Sequence, residues 1–338
     1  MYTLKQLPSD FIVREIPKLK TADSGRYLYL KITKKNKNTL DVVKQLAKIL
    51  RIPEKEIGFA GNKDKNAITE QVFSVKRVSK ERAGSINIPD IKIEIMGSGT
   101  IPISLGDLEG NQFEITIRNL EKEKIKKVKY IPNYFDEQRF ASNNAEIGKH
   151  LIKKEFSKAL DLMNYFQCTR HLETHQNDFV GALKLLPIRL LKMYVNAYQS
   201  YLWNETLIQY LLEKGRVEKE VRYSLGKFVF VENPEKYCTL EIPLIGGGDI
   251  TSTDERINEI ISKILHRENL TPADFVIKQI RELTQIGEFR KAFIEVKDLR
   301  IGMAQKDEFN PGKKKVKVSF FLPKGSYATI AIRAIIEG

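Results

Sequence analysis

Between residues 28 and 32 the chain alternates, with Leu28, Leu30 and Ile32 standing between polar or partly polar neighbours, the period of two expected of a half-buried strand. The period then lengthens. Leu40, Val43, Leu46, Ala47 and Leu50 fall on one face of a helix that Thr39 is placed to cap and Pro53 to end. Alternation returns at residues 91–95 and 113–117, and Gly110-Asn111 is expected to form a turn before the second run. From about residue 145 to 215 the spacing is helical, most clearly in LLKMYVNAYQSYLWNETLIQYLLEKG, where Gly215 marks the end. Val316, Val318 and Phe320 alternate once more, so the C-terminal strand is expected to rejoin the N-terminal sheet. The pattern is that of an α+β protein without repeats or low-complexity tracts.

Composition sharpens this picture only in part. The 338 residues are 42% hydrophobic and 30% charged, enough for a sizeable core divided between two domains. Lys and Arg number 57 against 43 Asp and Glu, a formal charge of +14, so a polyanion, first of all a nucleic acid, is the expected partner. The basic runs at 34–38, 121–129 and 312–317 are candidate phosphate contacts. No run approaches the roughly 20 apolar residues of a spanning helix, and MYTLKQLPSDF lacks the layout of a signal peptide. Cys168 and Cys238 are too few for a disulfide framework. A cytoplasmic, monomeric protein with reduced thiols and no membrane contact is expected.

Two places carry residue types suited to chemistry. In GFAGNKDKNAITEQ, residues 58–71, Asp64 stands between Lys63 and Lys65 after a small-residue turn, a carboxylate flanked by cations. An aspartate in a solvated turn fits the same residues. The loop is no phosphate-binding P-loop, because Gly-Lys-Ser/Thr does not follow a four-residue gap. Cys168, His171 and His175, with Asp178 nearby, have spacings that could ligate zinc from one helix. No second Cys/His pair completes a structural site, so no metal is expected, although a metal-dependent RNA enzyme is the reading this cluster would support.

GFAGNKDKNAITEQ resembles the signature of the TruD family of tRNA pseudouridine synthases, and other segments resemble that family's pattern in the same order. They are DFIVREIP at 10–17, NT at 38–39, GNQF at 110–113, NYFDEQRF at 133–140 and FLPKGSYAT at 321–329. The resemblance spans nearly the whole chain. It implies a pseudouridine synthase-like mixed α/β catalytic core made of residues 1–150 and 300–338, with an inserted helix-rich TRUD domain at 151–299. Its reaction breaks the uracil N1–C1′ bond, turns the base and rejoins it through C5, with no cofactor. The implied substrate is a uridine of tRNA, at position 13, recognised by shape and by an extruded base in a basic cleft between the two domains. A catalytically silent RNA-binding module on the same scaffold is the alternative.

Carried over by position, the resemblance makes Asp64 the catalytic carboxylate, as nucleophile or as the base that triggers cleavage. It makes Lys5 a buried ammonium partner that offsets part of each group's desolvation. Asn133 and Phe135 would meet the target base, an amide beside an aromatic face, and Tyr327 would stand near it. Lys63, Gln138 and Arg139 complete the implied substrate contacts. Three positions depart from the family pattern. Asp136 and Ala141 stand where glycine is common, and Ala334 follows Arg333 where many relatives carry glutamate. A glycine at 136 would mark a positive φ or a close approach of RNA, and an aspartate there would repel phosphate.

Overall fold

The computed structural model of the chain describes residues 2–121, 125–248 and 251–336. It resolves into two compact units: residues 1–129, 295–328 and 335–338 form one, and residues 130–294 with 329–334 the other. Residues 130–150, expected with the first region, lie in the second unit. The helix Asn144–Ile152 packs closely on the long helix Ile188–Lys214: a Cβ on Gly148 would sit 2.0 Å from the Tyr194 carbonyl oxygen. Only glycine permits that approach.

The first unit is built on a nine-stranded sheet. Its N-terminal strands are β1 (Phe11–Pro17), β2 (Tyr27–Lys35), β3 (Ile57–Phe59), β4 (Ile68–Lys76), β5 (Ile91–Gly99) and β6 (Leu108–Leu120). The order runs Lys297–Ile301, Lys314–Pro323, β6, β1, β4, β2, β5, with β3 on β4 and Gln305–Lys306 on Lys314–Pro323. The C-terminal strand thus rejoins the N-terminal sheet, where Val318 pairs with Ile115. The pairing of β1 with β4 is parallel, Ile12 lying opposite Ile68.

Pleating sends alternate residues to opposite faces. Leu28, Leu30, Ile32, Phe73 and Val75 meet Val42, Val43, Leu46 and Leu50 of α1 (Thr39–Leu50). Tyr29 and Val72 gather with Ala60, Ile103 and Leu108 in a second cluster. Residue by residue, α1 departs from expectation: Leu40 is exposed, Val42 is fully buried, and Thr39 is the first helical residue with Asn38 ahead of it. Gly110-Asn111 is no turn. Both lie inside β6, where a Cβ on Gly110 would meet the Leu322 carbonyl oxygen at 2.2 Å.

A buried ion network ties β6 to Asp10 ahead of β1 and to Asp307 ahead of the C-terminal strand. Arg118 on β6 donates through Nε to Asp10 at 2.9 Å and through Nη1 to Asp307 at 3.0 Å, all three buried. Burial alone would raise the Asp307 carboxyl. The N–H of Asn119, the Asn310 amide, the N–H of Phe309 and Arg118 instead hold it down at about 2.

The second unit is mainly helical, around Ile188–Lys214, which buries Trp203, Leu207 and Asn204 completely. A hairpin, Val217–Tyr223 with Gly226–Val231, and a second antiparallel strand pair, Glu241–Leu244 with Glu288–Lys291, lean on it. Among the described residues no helix is long and apolar enough to cross a membrane.

Candidate active site

The loop between β3 and β4 holds Asp64, and five contacts with buried or half-buried groups brace it. The Thr39 hydroxyl accepts the Lys63 N–H at 2.9 Å and donates to Gln71 Oε1 at 2.9 Å, and Gln71 Nε2 donates to the Gly61 carbonyl at 3.1 Å. Thr39 is therefore a strut under the loop instead of the helix cap its position suggests. Gln71, fully buried on β4, connects strand to loop. The Gly106 N–H donates to the Ala60 carbonyl at 2.8 Å. From β2, Lys34 donates to the Asp64 carbonyl at 3.0 Å.

Lys63 turns inward. Its ammonium meets Glu15 at 2.5 Å with the two side chains 7% and 0% exposed, and Glu15 also accepts the Val72 N–H at 3.1 Å. The charge at Lys63, where the resemblance implies a substrate contact, is neutralised inside the unit. Glu15 lies on β1 beside β4 because the two strands run parallel.

Lys5 is brought to Asp64 by the paired backbones of Thr3 and Arg118, which tie the N-terminal segment to β6. Lys5 Nζ lies 3.3 Å from Asp64 Oδ2 and 4.2 Å from the centroid of the Phe11 ring. Both side chains are about a quarter exposed, 26% and 25%, so the Lys5 ammonium, implied to be buried, is half-buried with its partner. Stability does not explain it. A pair this exposed contributes on the order of 1 kcal/mol, while the backbone of Lys5 sits at φ 58, which costs a non-glycine residue roughly 1–2 kcal/mol.

The second unit carries Asn133, Phe135, Gln138 and Arg139 of the implied residues. Asn204, on the long helix, accepts the Phe135 N–H at 3.0 Å and donates to the Phe135 carbonyl at 2.8 Å. The Phe135 ring is 6% exposed and meets Trp203 edge-on at 5.7 Å. The Arg290 guanidinium stands 4.1 Å over its centroid, and Arg139 5.4 Å away. Arg290 also donates to the Asn133 carbonyl at 2.8 Å and to Asn133 Oδ1 at 2.7 Å, while Asn133 Nδ2 donates to the Lys291 carbonyl at 3.0 Å. An arginine thus occupies the position over Phe135 where an aromatic face was expected for the base. Arg290 sits in no motif; a cation in the strand EFRK gave no signal of its own. Gln138 is exposed on the turn Glu137–Arg139.

In the first unit Tyr327 is half-buried just ahead of the helix Ala328–Ile335. It follows a turn in which Gly325 has φ 79, a conformation that favours glycine, and the Lys324 ammonium holds the Gly106 carbonyl at 2.9 Å.

With these positions in place, comparison with known proteins decides the family. A family model described as tRNA pseudouridine synthase D (TruD) matches residues 2–169 and 166–335. The chain belongs to this family. Among its relatives, "Probable tRNA pseudouridine synthase D 2" of Methanocaldococcus jannaschii is 34% identical, with 99% of this chain and 92% of the relative covered. The tRNA pseudouridine synthase D of Aquifex aeolicus is 30% identical over 98% of this chain and 97% of its own. A crystal structure assigned to tRNA pseudouridine synthase D of Methanosarcina mazei superposes with a TM-score of 0.71 at 26% identity, covering 98% and 93% of the two chains. The α+β pseudouridine synthase-like fold follows from this match.

One departure from the TruD pattern, Asp136, meets Arg333, the neighbour of another, Ala334. Asp136 has φ −97, so no positive φ underlies the position, and its buried carboxylate lies 3.5 Å from Arg333. Ala141 has no positive φ either. With alanine at 334, Asp136 supplies a carboxylate to Arg333, whose other nitrogen donates to the Arg222 carbonyl at 3.0 Å. The aspartate expected to repel phosphate is turned inward.

The Cys168 cluster does not converge. The buried thiol donates to the Ala182 carbonyl at 3.4 Å, and burial pushes its pKa up. His171 instead meets Asp178 at 2.8 Å and stacks on His175. Among the described residues no group of three or more His, Cys, Asp or Glu could hold a metal ion. The basic runs are partly neutralised: Lys313 pairs with Glu121, Lys315 with Glu308 and Lys317 with Glu114. In the run 121–129, residues 122–124 lie outside the described residues.

Proposed function

We propose that this chain converts a uridine of tRNA, at position 13, to pseudouridine, with Asp64 as the catalytic carboxylate and Lys5 as its partner. The observation that carries this reading is the Lys5–Asp64 pair at 3.3 Å, about a quarter exposed on a loop whose other polar groups are held from beneath. The sequence motifs that match the TruD family supply those same groups: Asp64 and Gln71 from one, Thr39 from another, Glu15 from a third.

The chemistry conserves atoms. The N1–C1′ bond breaks, a C5–C1′ bond forms, the C5 hydrogen leaves as a proton and N1 gains one. A carboxylate kept close to a lysine ammonium and open on one side suits either attack on the substrate or base-triggered cleavage. Asn133, Phe135, Arg139, Gln138 and Tyr327 act in binding, with the inserted helical region as the TRUD domain. Arg290, stacked on Phe135, is added to them as the group that sets the Asn133 amide. The protein works in the cytoplasm as a monomer without a small-molecule cofactor.

The test is tritium release from tRNA transcripts labelled at uridine C5, with the modified position mapped in the product. Wild type releases label and marks position 13, while Asp64→Asn binds the transcript and releases none. Release by Asp64→Asn at the wild-type rate excludes Asp64 from the chemistry. Wild type that binds tRNA and releases nothing is the silent binding module.

A further inference from the structure

Lys34 lies near the end of β2, opposite Thr69 of β4 and Ile91 of β5, and is 1% exposed. Its ammonium donates to the Lys37 carbonyl at 2.5 Å and to the Asp64 carbonyl at 3.0 Å. Among the described residues no carboxylate is in ion-pair contact with it. A charge taken from water costs several kcal/mol, and only a well-placed counter-ion offsets that cost. Lys34 has two carbonyls. Burial, opposed by Asp64 and reinforced by Lys63, pushes its pKa down to about 8.

A neutral side chain would fill this site with less penalty, so stability does not account for the ammonium. What it accomplishes is local. It ties the turn that leads into α1 to the peptide of the residue that faces Lys5, and it adds a positive charge beneath that residue. We propose that Lys34 is a positioning residue for the reaction, fixing through the Asp64 carbonyl the backbone from which the Asp64 carboxylate projects.

The inference rests on the reading of Asp64 above. The charged groups that act on Lys34 are Asp64 and Lys63 of the loop. Thr69 and Ile91, its partners on the flanking strands, carry no charge, and Glu15 is engaged by Lys63. Loss of the Lys34 proton turns two charge-assisted bonds into weaker neutral ones. The loop then loosens as pH rises through about 8.

The experiment measures single-turnover tritium release and tRNA binding across pH for wild type, Lys34→Met and Asp64→Asn. Misplacing a reacting group by about 1 Å costs on the order of a hundredfold, so Lys34→Met is expected to react roughly tenfold to a hundredfold more slowly. Its tRNA Kd should stay within about twofold of wild type, because the loss falls on the chemical step. Wild type should lose rate as pH rises through about 8, and the variant should lack that limb. Lys34→Cys alkylated with bromoethylamine, which restores an ammonium at nearly the same reach, should recover most of the rate.

A wild-type rate that stays level through this range overturns the inference without any variant. Lys34→Met at the wild-type rate overturns it while an inactive Asp64→Asn leaves the function intact. An active Asp64→Asn overturns the functional reading itself.

Discussion

Replacing Lys63 by methionine would leave the Glu15 carboxylate, fully buried, with the single N–H of Val72. Removing one member of a buried ion pair typically costs about 3–5 kcal/mol, far more than removing both, because the remaining charge is stranded. Lys63→Met should therefore lose about 3–5 kcal/mol of unfolding free energy at pH 7. Urea unfolding followed by circular dichroism measures this. The double variant Glu15→Gln/Lys63→Met, which keeps an acceptor for Val72 and no charge, should recover most of the loss. A loss below about 1 kcal/mol would refute the buried-pair argument.

Acid should weaken the Arg118 network. Because the Asp307 carboxyl is held down at about 2, its contribution is complete above the ordinary carboxyl range and disappears as pH falls from about 4 through about 2. Asp307→Asn should flatten that part of an acid titration of stability. Gly148→Ala places a Cβ 2.0 Å from the Tyr194 carbonyl oxygen. Backbone must move, so thermal unfolding should show a loss of about 3 kcal/mol or more. Arg290→Ala removes both donors to Asn133 and uncovers one face of Phe135. Tritium release should fall by roughly tenfold, and an unchanged rate would make Arg290 a purely structural residue. Asp136→Gly takes the carboxylate from Arg333 and should destabilise by about 1–3 kcal/mol, read as a lower urea midpoint.

The elements that the chain spells out locally are legible in its residues alone. Alternation at Leu28, Leu30 and Ile32 becomes β2, and the helical spacing after residue 38 becomes α1. The long helical run ends at Gly215, and the alternation at Val316–Phe320 returns to the first sheet. Periodicity reports which face of a short segment avoids water, so it reaches as far as one element. Asp64 is a different case: composition and spacing left it a turn residue or a catalytic one, and ordered motifs along the chain pointed to the second.

The partners of these residues lie far away in sequence, and local pattern says nothing of them. Thr39 looks like a helix cap, yet its hydroxyl serves Lys63 and Gln71, the latter 32 residues on. Lys63 looks like a surface charge beside Asp64 and is buried against Glu15, 48 residues away, because β1 and β4 run parallel. Gly110 reads as a turn until Leu322 and Phe321 approach it across a strand pair. Asp136 meets Arg333, and Arg290 stands over Phe135, across more than 150 residues each. The sequence by itself determined the hydrophobic faces, the family and the loop that holds Asp64. Tertiary structure decided which charges are neutralised inside and which remain open, because desolvation and ion pairing depend on neighbours that only chain folding brings together.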